Sequence, residues 1–393
     1  MQTVYDNKES CCGCTACVSI CPKNAITMKQ DERGFFYPVI DDEKCVNCNL
    51  CKNVCNFKAF HKQTVQHDVN SYAIRHKMES EVMTSRSGGF FSAVAQYVVS
   101  RGGICYGAAL TSELEVAHEK ADNYGECFKF KGSKYVQSRI DDSLFQECKE
   151  LLESGKPVLF SGTGCQVHGL LSYLNTKKVD TSNLITIDFV CHGVPSPDVW
   201  RAYVSMVEKR EGKEIKHINF RDKAKFGWIA NKATYTFADG SECSNSTWSD
   251  VFYQHCMIRE SCYQCPYTTV GRLSDFTMGD YWGFEKVVQG YRDDKGLSFV
   301  IVQNEKAKRI LNELEDVLEI HETNLQMSMQ PQLQKPIYKG AEHNKFWKKW
   351  TFDKEATIQY FFFPNKVRRC YLLGVKKSKR IVKSILKKLR KIR

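Results

Sequence analysis

From Ser71 onward, short apolar runs alternate with longer segments whose apolar residues recur every three or four positions. The short runs read as buried strands and the longer segments as helices with one face turned inward. Tyr72-Ala73-Ile74-Arg75, Ile104 to Leu110, Pro157-Val158-Leu159-Phe160 and Leu184 to Val190 are the expected strands. The stretch FFSAVAQYVVS after Gly89, residues 141–154, and the segment from Gly162 to Leu174 are the expected helices. Further strands are expected at 215–221 and 233–238, with a turn at Asp239-Gly240, and a helix over 305–319. Alternation of strand, turn and helix predicts an α/β domain with a mostly parallel sheet. Residues 61–70, HKQTVQHDVN, are polar and without period, and read as a linker.

Residues 1–60 follow a different pattern, set by cysteine. Cys11, Cys14, Cys17 and Cys21 are spaced C-x2-C-x2-C-x3-C and followed by Pro22; Cys45, Cys48, Cys51 and Cys55 repeat the spacing, with Asn56 after them. This is the bacterial two-cluster ferredoxin pattern, in which each run gives three thiolates to one [4Fe–4S] cluster and a fourth to the other. The expected ligand sets are Cys11, Cys14, Cys17 and Cys55 for one cluster, and Cys45, Cys48, Cys51 and Cys21 for its twin. Cys12 falls outside the register and is not an expected ligand. Zinc sites show pairs of thiols rather than triples, and a disulfide knot requires an oxidising compartment. Each half reads as a cysteine loop, a short helix and a strand, with a turn and strand at Gly34-Phe35-Phe36-Tyr37-Pro38. The chain as a whole is therefore expected to be α+β, a small ferredoxin domain followed by the α/β domain.

Composition supports a sizeable core, with 42% hydrophobic and 12% aromatic residues in a chain of 393. No apolar run reaches the roughly 18 residues of a membrane span. Nineteen cysteines with no export signal ahead of them predict a reducing cytoplasm. The net charge of +12 is concentrated in residues 376–393, KKSKRIVKSILKKLRKIR, which contain no acid. There Ile381, Ile385, Leu389 and Ile392 recur at helical spacing among Lys and Arg. A basic amphipathic tail over 366–393 suits an anionic membrane surface, which would make the protein peripheral on the inner face; nucleic acid is not the expected partner.

Two glycine turns stand where expected strands pass into helices, Ser87-Gly88-Gly89 and Ser161-Gly162-Thr163-Gly164. Such turns either let a helix pack tightly on a sheet or offer free N–H groups to a phosphate; neither fits the G-x-G-x-x-G fingerprint. A second set of cysteines, Cys165, Cys191, Cys262 and Cys265, falls at two strand ends and on a C-x2-C loop. They are either small buried residues or a third four-thiolate site assembled at one edge of the sheet. Cys256 is the spare. Lys134, Arg221, Lys223, Arg272, Asp275 and Asp280 are candidates for the wall of an anionic substrate pocket, and His192 for proton transfer. The Asp280-Tyr281-Trp282-Gly283 stretch is expected to pack on the C-x2-C loop.

The stretches SGGFFSAVAQYV, GSKYVQS (132–138), VLFSGTGCQVHGL (158–170), FVCHGVPSPDVW (189–200), FRDK (220–223) with Trp228, and SCYQCPYTTVGRLSDFTMGDYWG (261–283) together resemble the beta-subunit family of coenzyme F-420 hydrogenases and dehydrogenases. The likeness spans residues 71–290, with 291–365 as the C-terminal part of the same domain. It is nearest to the bacterial branch that carries its own ferredoxin and is associated with surface-polysaccharide synthesis. The resemblance implies a flavin domain that couples iron–sulfur centres to FAD, and in archaeal members to a deazaflavin coenzyme. It implies that Cys165, Cys191, Cys262 and Cys265 bind a third [4Fe–4S] cluster, that Ser87, Gly88 and Gly89 approach the FAD phosphates, and that Gly162, Thr163 and Lys134 border the flavin. Gly164 stands where the family often has Pro. The implied activity is an oxidoreductase acting on a small molecule, a sugar or nucleotide-sugar in that branch, with Lys134 and His192 as catalytic candidates and an external electron donor or acceptor. The competing expectation is a non-catalytic electron-transfer module docked to a partner reductase.

Overall fold

The computed structural model describes residues 3–55, 57 and 70–364. The basic tail, Cys370 and nearly all of the expected linker lie outside the described residues. In the N-terminal domain, β1 (Ile26–Gln30) pairs antiparallel with β2 (Phe36–Ile40), Ile26 opposite Ile40. Asp31 closes the turn between them, its Oδ1 accepting from the amides of Arg33 (3.0 Å) and Phe35 (2.9 Å). The two halves repeat locally: short helices Ala16–Ser19 and Leu50–Asn53 are each entered through a left-handed residue, Thr15 (φ 65°) and Asn49 (φ 59°).

The remaining chain builds one large sheet and one small one. The strands are β3 (Asn70–His76), β4 (Ile104–Leu110), β5 (Val116–Ala121), β6 (Val158–Thr163), β7 (Leu184–Phe189), β8 (Ile215–Asn219), β9 (Ala233–Phe237), β10 (Glu242–Asn245), β11 (Phe276–Asp280), β12 (Ser298–Val302) and β13 (Leu318–Thr323). Eight of them form the large sheet in the order β13-β3-β12-β11-β7-β6-β4-β5. Within this sheet β11, β7, β6 and β4 pair parallel with one another, whereas every pairing of β12, β3, β13 and β5 is antiparallel. The expected mostly parallel sheet is thus a mixed one. β12, SFVIV, is buried throughout and so has the continuous apolar look of a central parallel strand, but a hydrophobic run carries no direction.

The expected helix over 305–319 also divides. Glu305–Glu313 is helical and β13 follows as an edge strand. In LEDVLEIHET the apolar spacing satisfies a helical period and an alternating one equally, and pairing with β3 decides. Beyond residue 291, β12 and β13 therefore complete the main sheet.

Between β7 and β11 the chain makes an excursion of its own, the sheet β10-β9-β8 packed beneath helices Pro197–Glu211, His343–Phe352 and Lys354–Phe362. The core there is aromatic: Trp200 stacks on Phe220 (4.8 Å) and meets Trp248 edge-on (4.8 Å), contacts worth about 0.5–1.5 kcal/mol each beyond the area they bury.

The ferredoxin domain is docked onto this body at points where a side chain would not fit. Gly34, at φ +80°, would bring a Cβ to 2.1 Å of the Cβ of Asp198, at the start of helix Pro197–Glu211. Gly169, inside helix Gly164–Thr176, would bring one to 2.8 Å of the Cβ and 2.9 Å of the Sγ of Cys14. Arg33 makes an ion pair with the buried Glu260.

Candidate redox centre

The ferredoxin thiols gather crosswise. Cys21 joins Cys45, Cys48 and Cys51 around one small cavity, although it comes from the other run. Burial of the Cys17 sulfur pushes its thiol up, and the sulfurs of Cys14, Cys11 and Cys55, with Cys51 of the other set, push it further, so Cys17 stands among its expected partners and beside the second set. Each set has the thiols that a cubane cluster takes, and Ala25 N–H already donates to Cys21 Sγ at 3.3 Å. Among the described residues no three His, Cys, Asp or Glu side chains close on a point for a single ion; Cys21, Cys45, Cys48 and Cys51 frame a cavity instead.

The second set converges because of the sheet. β6 and β7 are parallel neighbours with Thr163 opposite Phe189, so Cys165 and Cys191 leave adjacent strand ends side by side. Cys262 and Cys265 approach from the turn Glu260–Gln264, and all four sulfurs line one cavity with Cys12, Arg259 and Tyr267. Burial, then the sulfurs of Cys191, Cys265 and Cys165, push the Cys262 thiol up. The loop at Cys165 is held firmly without proline. Thr163 and Gln166 form a capping box, with Thr163 N–H to Gln166 Oε1 at 3.1 Å. Gly164 is wedged between Asp188 Oδ2 and Tyr267 Cβ, each 3.2 Å from where a Cβ would stand. Cys256 lies elsewhere, in the aromatic core.

Cys12 connects the two thiol regions. It packs against Cys14 on one side and Cys165 on the other, and both sulfurs push its thiol up. Adjoining the cavity of the Cys165 set is a larger one, about 430 Å³. Thr163, Gln166, Phe189, Cys191, Gly193 and Val194 form a wall common to both cavities.

Ser87, Gly89, Lys134, Gly162, Thr163 and His192 all line the large cavity. Gly88 does not; a Cβ there would stand 2.0 Å from Ile74 O and 2.6 Å from Ser298 N, so it is a packing glycine between β3 and β12. Ser87 Oγ is already committed as a donor to Leu297 O (2.7 Å). Lys134 Nζ donates to the carbonyls of Lys129 (2.6 Å) and Lys131 (2.9 Å), and burial draws its pKa down to about 7. Burial, with a smaller push from His255, lowers His192 to about 4.

The cavity wall is cationic and aromatic. Arg86 donates to Asp280 (2.9 Å) and Trp228 O (3.1 Å), while its Nε and Nη1 are buried with no partner among the described residues. Arg221 shares Asp280 at 3.3 Å. Trp282 stacks on Trp228 at 4.4 Å. His118 Nε2 meets Ser161 O at 3.0 Å, leaving Nδ1 buried and unpartnered among the described residues. Two arginines sharing one carboxylate, with donors to spare, suit an anionic ligand, and the paired tryptophans suit a flat one.

Residues 10–59 match the family described as 4Fe-4S dicluster domain. Residues 155–327 match the family described as the C terminus of the coenzyme F420 hydrogenase/dehydrogenase beta subunit. The central segment is thus similar to F420 hydrogenase/dehydrogenase beta subunits, and the N-terminal one to dicluster ferredoxins. The N-terminal dicluster segment is 39% identical over 49 residues to an uncharacterized ferredoxin of Methanocaldococcus jannaschii, 12% of this chain; the chain spans 62% of that relative's length. Among solved structures, a chain of the F420-reducing [NiFe] hydrogenase complex from Methanosarcina barkeri is 16% identical, covering 74% of this chain and 90% of that one at a TM-score of 0.43.

Several polar residues of the beta-subunit segment have structural work instead of a place in the cavity. Lys223 donates to the carbonyls of Val82, Ser87 (2.8 Å) and Lys295 (2.9 Å). Arg272 pairs with the buried Asp188 at 3.0 Å, and Asp275 accepts from Thr186 N–H at 2.7 Å. Sequence reasoning placed these three in the wall because charge near a strand end looks alike whether it faces a ligand or another strand. The opposite correction applies to Asp280 and Trp282, which face the large cavity instead of packing the thiol loop. Arg86, His118, Gln137 and Arg259 carried no spacing signal; only adjacency of Arg86 to the Ser87 turn pointed to any of them.

Proposed function

We propose that this chain is an iron–sulfur flavoprotein oxidoreductase that moves electrons between its ferredoxin-type clusters and FAD, for reduction or oxidation of a small anionic substrate. The observation that carries the reading is contiguity: the Cys11 thiol set, Cys12, the Cys165 thiol set and the large cavity follow one another without a gap. Cys165, Cys191, Cys262 and Cys265 would hold the third cluster. Ser87, Gly89, Gly162, Thr163 and Lys134 would border the flavin. When bound, the clusters supply single electrons and the flavin supplies two-electron chemistry.

The chain's own residues do the rest. Lys134, with its pKa near 7, holds or releases a proton at Nζ at working pH. His192 is neutral there, so it accepts or relays a proton through imidazole. Arg86 and Arg221 orient an anionic group. A phosphate-bearing substrate such as a nucleotide-sugar fits that wall, which is compatible with surface-polysaccharide synthesis.

Iron, sulfide and flavin quantitation after anaerobic purification tests the reading. Three [4Fe–4S] clusters give about 12 iron per chain, and Cys191→Ser with Cys262→Ser lowers that to about 8 while the ferredoxin signals persist. A flavin extract that is FAD supports the proposal, deazaflavin alone would replace FAD in it, and clusters without any flavin would leave a pure electron carrier.

A further inference from the structure

Arg259 is fully buried at 1% exposure, yet among the described residues no carboxylate pairs with it. Its neighbour Glu260 is engaged by Arg33, Lys339 and His343. Buried arginines without an opposite charge are costly, because the guanidinium loses its hydration and gains only dipoles. Here Nε donates to Cys11 O (2.9 Å), Nη1 to Gln137 Oε1 (3.1 Å) and Nη2 to Phe36 O (2.9 Å), with the Tyr37 ring 4.2 Å away. All four partners are neutral. The anionic candidates beside it are sulfurs: Nη2 lies 3.7 Å from Cys11 Sγ, and the same side chain lines the cavity of Cys165, Cys191, Cys262 and Cys265. The backbone holds it there, with Arg259 N–H on Val194 O at 3.0 Å, while three of its side-chain contacts lie in the ferredoxin domain.

We infer that Arg259 is the counter-charge of the cluster held by Cys11, Cys14, Cys17 and Cys55, and that its guanidinium raises the reduction potential of that cluster. One-electron reduction breaks no bond; it adds one negative charge to the cluster, and a fixed cation at hydrogen-bond range to a ligand sulfur favours that state over the oxidised one. Low dielectric around the site strengthens the effect. The inference rests on the dicluster domain alone, so absence of flavin or of a third cluster would leave it standing.

The test is a redox titration of the full holo-chain by electron paramagnetic resonance, poised with dithionite and mediators, beside iron quantitation. Arg259→Met removes the charge and keeps much of the bulk. The expected result is retained ferredoxin-domain iron and a reduction equilibrium at least about tenfold weaker for one of the two ferredoxin clusters, a fall of about 59 mV for a one-electron couple. The other cluster is expected to move less than threefold. Full iron with both potentials unchanged overturns the inference. If Arg259→Met loses the cluster, Arg259→Lys decides: a potential within about threefold of wild type supports the charge, and a tenfold loss with iron retained overturns it, because the cation would then be present without effect.

Discussion

Replacing Gly169 by alanine sets helix propensity against packing at the seam between the two domains. In an ordinary helix interior the change stabilises by about 0.8–1.0 kcal/mol, since alanine restricts the unfolded backbone more than glycine does. At Gly169 the new Cβ would stand 2.8 Å from the Cβ of Cys14, 2.9 Å from its Sγ and 3.6 Å from its carbonyl oxygen. Approaches under about 3 Å require something to move. Cys14 lies in the tight loop leading to helix Ala16–Ser19, and as a proposed cluster ligand its sulfur would be tied to iron, so it has little freedom to retreat. Helix Gly164–Thr176 is no freer, being buried along Val167, Leu170, Tyr173 and Leu174. Overpacking of this kind costs about 1–3 kcal/mol, so the net expectation is a loss of about 1–2 kcal/mol, with the ferredoxin domain pushed away from the thiol set at Cys165. Anaerobic denaturant titration of the holo-protein measures the stability, and iron content with the cluster resonance line shape reports the displacement. An alanine variant as stable as wild type or more so, with unchanged resonance, would refute the reasoning, because propensity would then have outweighed a contact that the geometry holds to be rigid.

Two further outcomes follow from buried charge. Asp188→Asn leaves the Arg272 guanidinium with no charged partner, only the carbonyls of Thr269 and Phe189, in a site where both side chains are no more than 3% exposed; about 3–5 kcal/mol should be lost in denaturant unfolding, partly recovered when Arg272→Met is added, and a loss below about 1 kcal/mol would show the pair to be well hydrated. His118, buried and held near pKa 4, is uncharged in the fold while its unfolded counterpart protonates near 6.5. Its contribution is therefore complete above pH 6.5 and declines as pH falls toward 4, by about 3 kcal/mol at most; a His118→Gln variant should show a flatter stability profile across that window, and an identical slope would count against the burial.

Much of the chemistry in this chain is local and therefore written along it. Eight thiols at repeated spacing need only a tight loop to reach the corners of a cluster, and Cys11 to Cys55 declare that loop by themselves. The glycines before two helices, and the two cysteines that follow β6 and β7, are likewise legible, because each belongs to one strand–turn–helix unit whose geometry is set within about ten residues. Three of the four parallel strands at the centre of the sheet, β4, β6 and β7, are legible for the same reason, whereas β11, FTMGD, carries no apolar run that marks it. Direction is not legible: β12 is as apolar as any parallel strand, and its antiparallel pairing is a property of the partners beside it.

What tertiary structure alone decided is everything that depends on two distant segments meeting. Gly88 and Gly89 are adjacent in sequence, yet one lines the cavity and its neighbour is pinned on Ile74 and Ser298. Arg221 and Arg272 look alike as charges near strand ends, and only the fold turns the first to the cavity wall and closes the second on Asp188. Cys12, out of register for any cluster, acquires its place between Cys14 and Cys165 when helix Gly164–Thr176 settles on the ferredoxin loop. Arg259 meets Cys11 across 248 residues of chain. The physical reason is common to all four. Spacing encodes contacts made within one turn or loop, whereas burial, charge neutralisation and cavity walls arise from long-range packing, whose partners leave no periodic trace in either segment.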